Sequence, residues 1–271
     1  MSPVQELSDL ANRLTAAAAK GDLEDVVSPL KAMDEAAVKI SRAFCGSWIG
    51  YHSRVYYEGL QPPPPGANFS QEWGLYTRHG TRGDWREFDP EEVKSAINVL
   101  ANNPDLEPAR AAATAANLVF NKAKAEALSI VELEIAEAPD PSLDRVKNEL
   151  ERLEPLSGFE IAKIWSPNGP TMSRDTLALG QGKRQPPHIE VRAEIASIGQ
   201  SFAICTGAAD LCARAASHLE RKSVKKMPAD RIGKYVFIGH GRSGAWRELQ
   251  DFLQNRLGLQ WDEFNRVPVA G

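Results

Sequence analysis

The feature that most constrains this chain is a stripe of apolar residues in its last third. Val191, Ile195, Ile198, Phe202, Cys205, Ala209, Cys212, Ala216 and Leu219 are separated by steps that alternate between four and three residues. That spacing is the a/d seam of a helix, held over four heptads, and such a stripe has to be buried against another helix. Two partners would satisfy it: helices of the same chain, or a second copy in a coiled coil. The small Ala and Cys knobs allow close approach and favour packing inside a bundle. Cys205 and Cys212 read as small core residues, because no His or Cys cluster supplies the rest of a zinc shell. Three cysteines in 271 residues also argue for reduced thiols, and no metal site is expected.

Ala-, Leu-, Glu- and Lys-rich stretches extend the helical pattern over most of positions 1–226, the predicted helical domain of sensing or oligomerisation. One helix runs from after Asp22 through Met33, Ala37 and Ile40 to about Phe44, with Pro29 near its start. A second is announced by Asp89 as N-cap, Pro90 at its first position and Glu92 two residues later. Asp105 to about Glu137 predicts one long helix, closed by Pro139 and Pro141, and Ser142 is expected to cap a shorter one reaching about Leu153. Arg221, Lys222, Lys225 and Lys226 fit the cation preference of a helix C-terminus.

Two segments break the pattern. The first, 46–88, holds Trp48, Tyr51, His52, Arg54, Tyr56 and Tyr57, then the extended run Pro62 to Pro65, then Phe69, Trp73, His79, Arg82 and Trp85. These side chains either pin an irregular loop onto the bundle or line a pocket for a flat, anionic ligand such as a nucleotide. The second, Ser166 to Pro187, carries Ser173-Arg174-Asp175 and Gly180-Gln181-Gly182-Lys183-Arg184, and its length alone suggests a role.

At Met227-Pro228-Ala229-Asp230 the helical pattern should stop, giving a linker over 227–234. A buried-strand run, Tyr235 to Ile238, follows, then Gly239-His240-Gly241-Arg242-Ser243-Gly244, then an amphipathic helix from about Ala245 to Leu257 with Trp246, Leu249, Phe252, Leu253 and Leu257 on one face. The expectation is the opening βα unit of a parallel α/β domain, incomplete as given because its strand and helix both need a larger sheet. Alternatively, Tyr235 to Ile238 pairs with something in the helical part. The glycine stretch matches G-x-G-x-x-G after a strand and before a helix, with Asp262 and Glu263 about 20 residues on, the Rossmann pattern. It fails the G-x-S-x-G nucleophile elbow at the last glycine.

The stretch Val236 to Ser243, with Trp246-Arg247-Glu248-Leu249, Phe252-Leu253, Arg256 to Leu259 and Asp262 to Gly271, resembles the start of prokaryotic TIR-like nucleotide-binding domains. These sit at the C-terminus of bacterial effectors, some of them activated by cyclic nucleotides in antiphage defence. The likeness covers 233–271, and the segments around 48–57 and 61–73 look like the extension that precedes this domain in bacterial proteins. The resemblance implies a flavodoxin-like unit that cleaves the nicotinamide bond of NAD, its substrate, with no cofactor. It places Gly239, His240, Gly241, Arg242 and Ser243 against the ligand, and Asn265 and Arg266 in the loop after the second strand. The family's catalytic glutamate lies on a later helix, so no catalytic residue is assigned here, Glu248, Asp262 and Glu263 included, and the chain as given is expected not to turn over NAD.

Charge narrows the remaining classes. Lys and Arg number 32 against 36 Asp and Glu, a net charge of -4, which disfavours a nucleic-acid binder. No apolar stretch reads as long enough to span a bilayer and no signal peptide is evident, so a cytoplasmic protein is expected, without a membrane partner. The full reading is mainly α: a helical bundle with long irregular loops, followed by the first βα unit of a TIR-like domain over 235–271. Such an effector would work as a homo-oligomer. The alternatives are a non-enzymatic nucleotide-binding or protein-interaction regulator, and a Rossmann-type NAD binder.

Overall fold

The computed structural model describes residues 2–231, 235–238, 245–257 and 260–263. Nine α-helices are described: α1 (Pro3–Ala18), α2 (Glu24–Ser41), α3 (Pro90–Leu100), α4 (Glu107–Glu137), α5 (Pro141–Arg152), α6 (Gly158–Trp165), α7 (Thr176–Gln181), α8 (Pro187–Arg231) and α9 (Ala245–Asn255). Four short strands accompany them: β1 (Val55–Tyr57), β2 (Trp85–Glu87), β3 (Tyr235–Ile238) and β4 (Gln260–Glu263). The chain is therefore mainly helical.

The predicted seam lies on α8 and is satisfied within the chain. Val191, Ile198, Phe202, Cys205, Ala209, Cys212, Ala216 and Leu219 are all buried, and Ile195 is partly so. A second stripe one residue earlier is buried as well: Ile204, Ala208, Leu211 and Ala215. A helix with two adjacent buried stripes is enclosed from two sides, which a simple two-stranded coil does not require. Leu7, Leu10 and Leu14 of α1, Ala113, Ala116, Phe120 and Ala127 of α4, and Leu143, Val146 and Leu150 of α5 complete this cluster. Alanine recurs on α4 and α8 because a short side chain lets two helix backbones approach closely. Cys205 accepts that role, with its Sγ 3.5 Å from the Ala116 carbonyl of α4. By length and composition alone, α8 could cross a bilayer within Pro187–Ser223, contrary to the expectation that no stretch is long enough, but half of its most apolar part is turned into the bundle.

Towards its start α8 meets a second cluster, in which Met33, Ala37 and Ile40 of α2 pack with Val93 and Ile97 of α3, Tyr56 and Val191. Antiparallel β1 and β2 pair Val55 with Glu87 and Tyr57 with Trp85, and so fold the long irregular segment back on itself.

Several boundaries follow the sequence pattern and two differ. Asp89 caps α3, accepting from the Glu91 amide at 2.9 Å. The cap of α5 is Asp140 instead of Ser142: it accepts from the Ser142 and Leu143 amides at 3.1 and 3.4 Å. The reason is Pro141, whose fixed φ and missing N–H suit the first helical position and put the cap at the residue before it, two positions earlier than expected. α8 continues to Arg231, past the expected stop at 227–230, as an extension of a helix already nucleated over forty residues. Lys222 consequently lies within the helix, where its Nζ meets Asp140 at 3.0 Å beside His218 at 2.8 Å. Burial opposes the Asp140 charge, yet these two partners and the two amides hold its carboxyl far below the usual range.

β3 pairs with β4, in parallel, from Tyr235 with Gln260 to Ile238 with Glu263, and α9 connects them. This is a strand–helix–strand crossover, and it excludes pairing of Tyr235 to Ile238 with the helical part among the described residues. On α9 only Leu253 of the expected apolar face is buried, while Leu249, Phe252 and Leu257 stay about half exposed.

Gly21 sits where a Cβ would come within 2.6 Å of the Phe202 ring. Gly21→Ala is expected to cost about 1–3 kcal/mol in urea unfolding, the usual range for overpacking. The cost should shrink in a Phe202→Leu background, and equal costs in both would show that Phe202 does not set the constraint.

Candidate functional site

The two irregular segments meet at one buried carboxylate. Asp175, the N-cap of α7, accepts from the Ala178 amide at 3.2 Å and caps that short helix. Its other oxygen receives the Tyr51 hydroxyl and lies 2.7 Å from His52 Nε2. His52 Nδ1 in turn lies 3.3 Å from Ser47 Oγ. Tyr51 and His52 belong to a 3-10 turn, Gly50–Arg54, whose residues up to Ser53 are buried. Burial disfavours the Asp175 charge, but the bonds from Tyr51, His52 and Ala178 outweigh it and hold its pKa below the ordinary carboxylate value. The same burial and the adjacent carboxylate drive the Tyr51 hydroxyl far upward, so it stays protonated and donates.

Backbone bonds extend this junction. The Gly50 amide donates to Gly182 O at 2.7 Å and the Arg184 amide to Trp48 O at 3.0 Å, around an antiparallel bridge between Ile49 and Lys183. Ser173 Oγ donates to the Gln71 carbonyl at 2.8 Å, and Arg174 pairs with Glu72 at 2.7 Å while lying over the Trp73 ring. Gly74 has φ +66, and a Cβ there would collide with Asp175 and Tyr51, so glycine is required where the backbone passes the pair.

Ser47, His52 and Asp175 have the order of groups that activates a serine nucleophile. The geometry makes them a lock instead. His52 is 0% exposed, so its imidazole has no path to a leaving group, and its carboxylate is shared with Tyr51. Phe69 packs edge-on against His52, and Trp85 stands beside Phe69. The nearby Cys45 thiol is pushed up to about 12 by burial, far from a reactive thiolate.

This lock shapes the wall of an open cleft of about 990 Å³. Trp48, Arg54, Phe159, Lys163, Lys183 and Arg184 are among the residues that line it, and Pro187 and Glu190 at the start of α8 close one side. Behind that side, His188 is buried with its Nδ1 2.9 Å from the Tyr56 hydroxyl. Burial, helped by Arg192, lowers its pKa to about 4, so it is neutral at pH 7.

Both readings of the aromatic segment find a place here. Tyr51, His52, Phe69 and Trp85 pin the loop, and Trp48 and Arg54 face the cleft. His79 packs against Trp73, and Arg82 pairs through its backbone with Asn68. Asp175 was visible in the sequence only as part of a polar stretch, because its partners lie more than 120 residues away. The glycine-rich candidates Gly239, His240, Gly241, Arg242 and Ser243, and Asn265 and Arg266, lie outside the described residues. Among the described residues no group of three or more His, Cys, Asp or Glu is placed to hold a metal ion. No protein-family model matches the chain, and no curated protein or solved structure matches it.

Asp175→Ala strands His52 and the Tyr51 hydroxyl in the core and is expected to cost about 3–5 kcal/mol in urea unfolding at pH 7. The pH dependence has a definite sign. The native pKa values of Asp175 and His188 both lie below the unfolded ones, so the unfolded chain binds more protons and stability falls on acidification. For His188 the loss spans from its ordinary 6.5 down to about 4. For Asp175 it begins as pH drops through the ordinary carboxylate range, and Asp175→Ala should flatten that lower limb.

Proposed function

We propose that this chain is the control region and first strands of a bacterial effector, in which a TIR-like nucleotide-binding unit hydrolyses NAD under the command of the helical domain. The observation that carries the reading is the parallel β3–α9–β4 crossover, with the glycine-rich stretch 239–244 in sequence between the end of β3 and the start of α9. In open parallel sheets ligands bind beyond the carboxyl ends of the strands, and a helix N-terminus attracts phosphate. The register pairs Ile238 with Glu263. The residues next in sequence, Gly239 to Ser243 on one side and Asn265 and Arg266 on the other, are therefore the ones proposed to meet NAD. The flavodoxin-like completion of the fold, the use in antiphage defence and the need for several assembled copies come from the resemblance of 233–271.

α8 supports the coupling. Its first residues line the cleft and its last precede β3, so one continuous helix, on the order of 65 Å long at 1.5 Å per residue, joins the two. Occupancy at one end would tilt or rotate the lever that presents the other.

The test is NAD loss in bacteria that carry the natural gene, with and without phage challenge. NAD is expected to fall on challenge, and Arg242→Ala should slow the loss at least about tenfold by removing the charge offered to phosphate. NAD that stays constant in challenged cells, with the protein present and folded, would sink the reading.

A further inference from the structure

We propose that the cleft bounded by Trp48, Arg54, Lys163, Lys183 and Arg184 is a binding site for a small phosphorylated ligand with a planar, apolar body. The cleft is built from residues outside 235–271 and would bind its ligand whether or not those residues bind a nucleotide.

Charge comes first. The chain as a whole carries -4, yet four cations line this one concavity. Its lining carboxylate, Glu190, is already neutralised by Lys94 at 3.0 Å. Lys163 and Arg184 have no ion-pair partner among the described residues. The Lys183 ammonium donates to the carbonyls of Pro167 and Gly169 at 3.0 and 3.1 Å, which fixes its position and leaves its charge intact. Arg54 pairs with Glu87 through one terminal nitrogen, while its Nε is buried without a partner. Like charges gathered in a concave, partly apolar wall repel one another, and an anion with two or three charges relieves that cost. The positive end of α8, whose first residue Pro187 borders the cleft, adds to the same potential.

The remaining lining is apolar. Trp48 is half-buried, whereas Phe159 is 70% and Met172 91% exposed at the cleft, and Pro167 and Pro170 offer flat faces. Large apolar side chains left open beside Lys163, Lys183 and Arg184, which pair with no carboxylate among the described residues, suit a molecule with both an anionic group and a ring to stack. A volume of about 990 Å³ lies at the upper end for small-molecule sites. A polyanion fits less well, because the cations converge on one hollow instead of running along a face, and the net charge of -4 repels a long backbone.

The experiment titrates three probes into the full chain: ADP, inorganic pyrophosphate and adenosine, followed by calorimetry and tryptophan fluorescence. ADP is expected to bind at least about tenfold more tightly than either fragment, and to weaken as salt is raised. Lys163→Ala and Arg184→Ala, both at exposed positions and checked for an unchanged far-UV spectrum, should each weaken ADP about 5- to 20-fold. Trp48→Phe should remove the fluorescence response, and Lys122→Ala, at an exposed position of α4 outside the cleft, should leave ADP binding unchanged. Absence of ADP binding below about 1 mM, affinity in the Lys163 and Arg184 variants equal to that of the unaltered chain, or an equal loss on Lys122→Ala would overturn the proposal. Pyrophosphate or adenosine binding as tightly as ADP would overturn the composite ligand it requires.

Discussion

A helix with one apolar stripe can be satisfied by one neighbour; α8 has two, and the consequences run through the whole helical part. The stripe through Val191 and Leu219 and the stripe through Ile204 and Ala215 are offset by a single residue, roughly 100° around the helix. No single helix covers both. α1 and α4 must therefore flank α8, and the short side chains at Ala113, Ala116, Ala208 and Ala215 are what let three backbones converge. Each buried Leu, Ile or Phe contributes about 1.5–3 kcal/mol, so this one helix organises much of the available stabilisation. The rest of the bundle is arranged by what α8 still leaves uncovered: α2 and α3 near its start, and α5, tied by Asp140 to His218 and Lys222, towards its end.

The irregular segments cannot use that device. Between 42 and 89 and between 166 and 186 regular backbone pairing is sparse, so polar backbone groups have to be satisfied one by one. The structure does this through a buried carboxylate that gathers a phenol, an imidazole and a helix-capping amide from both segments. Removing Asp175 from water is costly, and the bonds it accepts repay that cost only if all its partners are in place. Such an arrangement selects one loop conformation sharply. It is also why His52, beside Ser47 at the cleft wall, acts as a fixing: the feature that gives the lock its strength, the complete burial of the imidazole, removes the access that catalysis by it requires.

What the sequence made legible follows from the range of the interactions involved. The a/d seam, the span of α4 and the Asp89 cap are written in residues three to five positions apart, and the structure places them as read. Strand β3 and helix α9 were legible for the same reason, although their glycine-rich connection lies outside the described residues. The Asp140 cap was misassigned to Ser142 although its Asp-Pro pair repeats the Asp89-Pro90 signal, because the serine competed as a plausible cap. The second stripe of α8 escaped notice because its alanines are read as helix formers before they are read as core. The junction at Asp175 was illegible in principle: nothing local distinguishes that aspartate, and its meaning comes from Tyr51 and His52 across the fold.

The lock and the cleft are two faces of one solution. Holding the 46–54 turn rigidly inward commits His52 and Tyr51 to the interior, and the neighbouring positions, Trp48 and Arg54, must then border the outside. The bridge between Ile49 and Lys183 carries the constraint to the second segment, where Lys183 and Arg184 line the same cleft. Cations placed by such a scaffold cannot spread apart to lower their repulsion, as they would on a mobile surface loop. The stability of the buried carboxylate network thus sustains an electrostatically unfavourable wall at the foot of the longest helix, and any event that relieves the wall acts on a helix whose far end is continuous with the approach to β3.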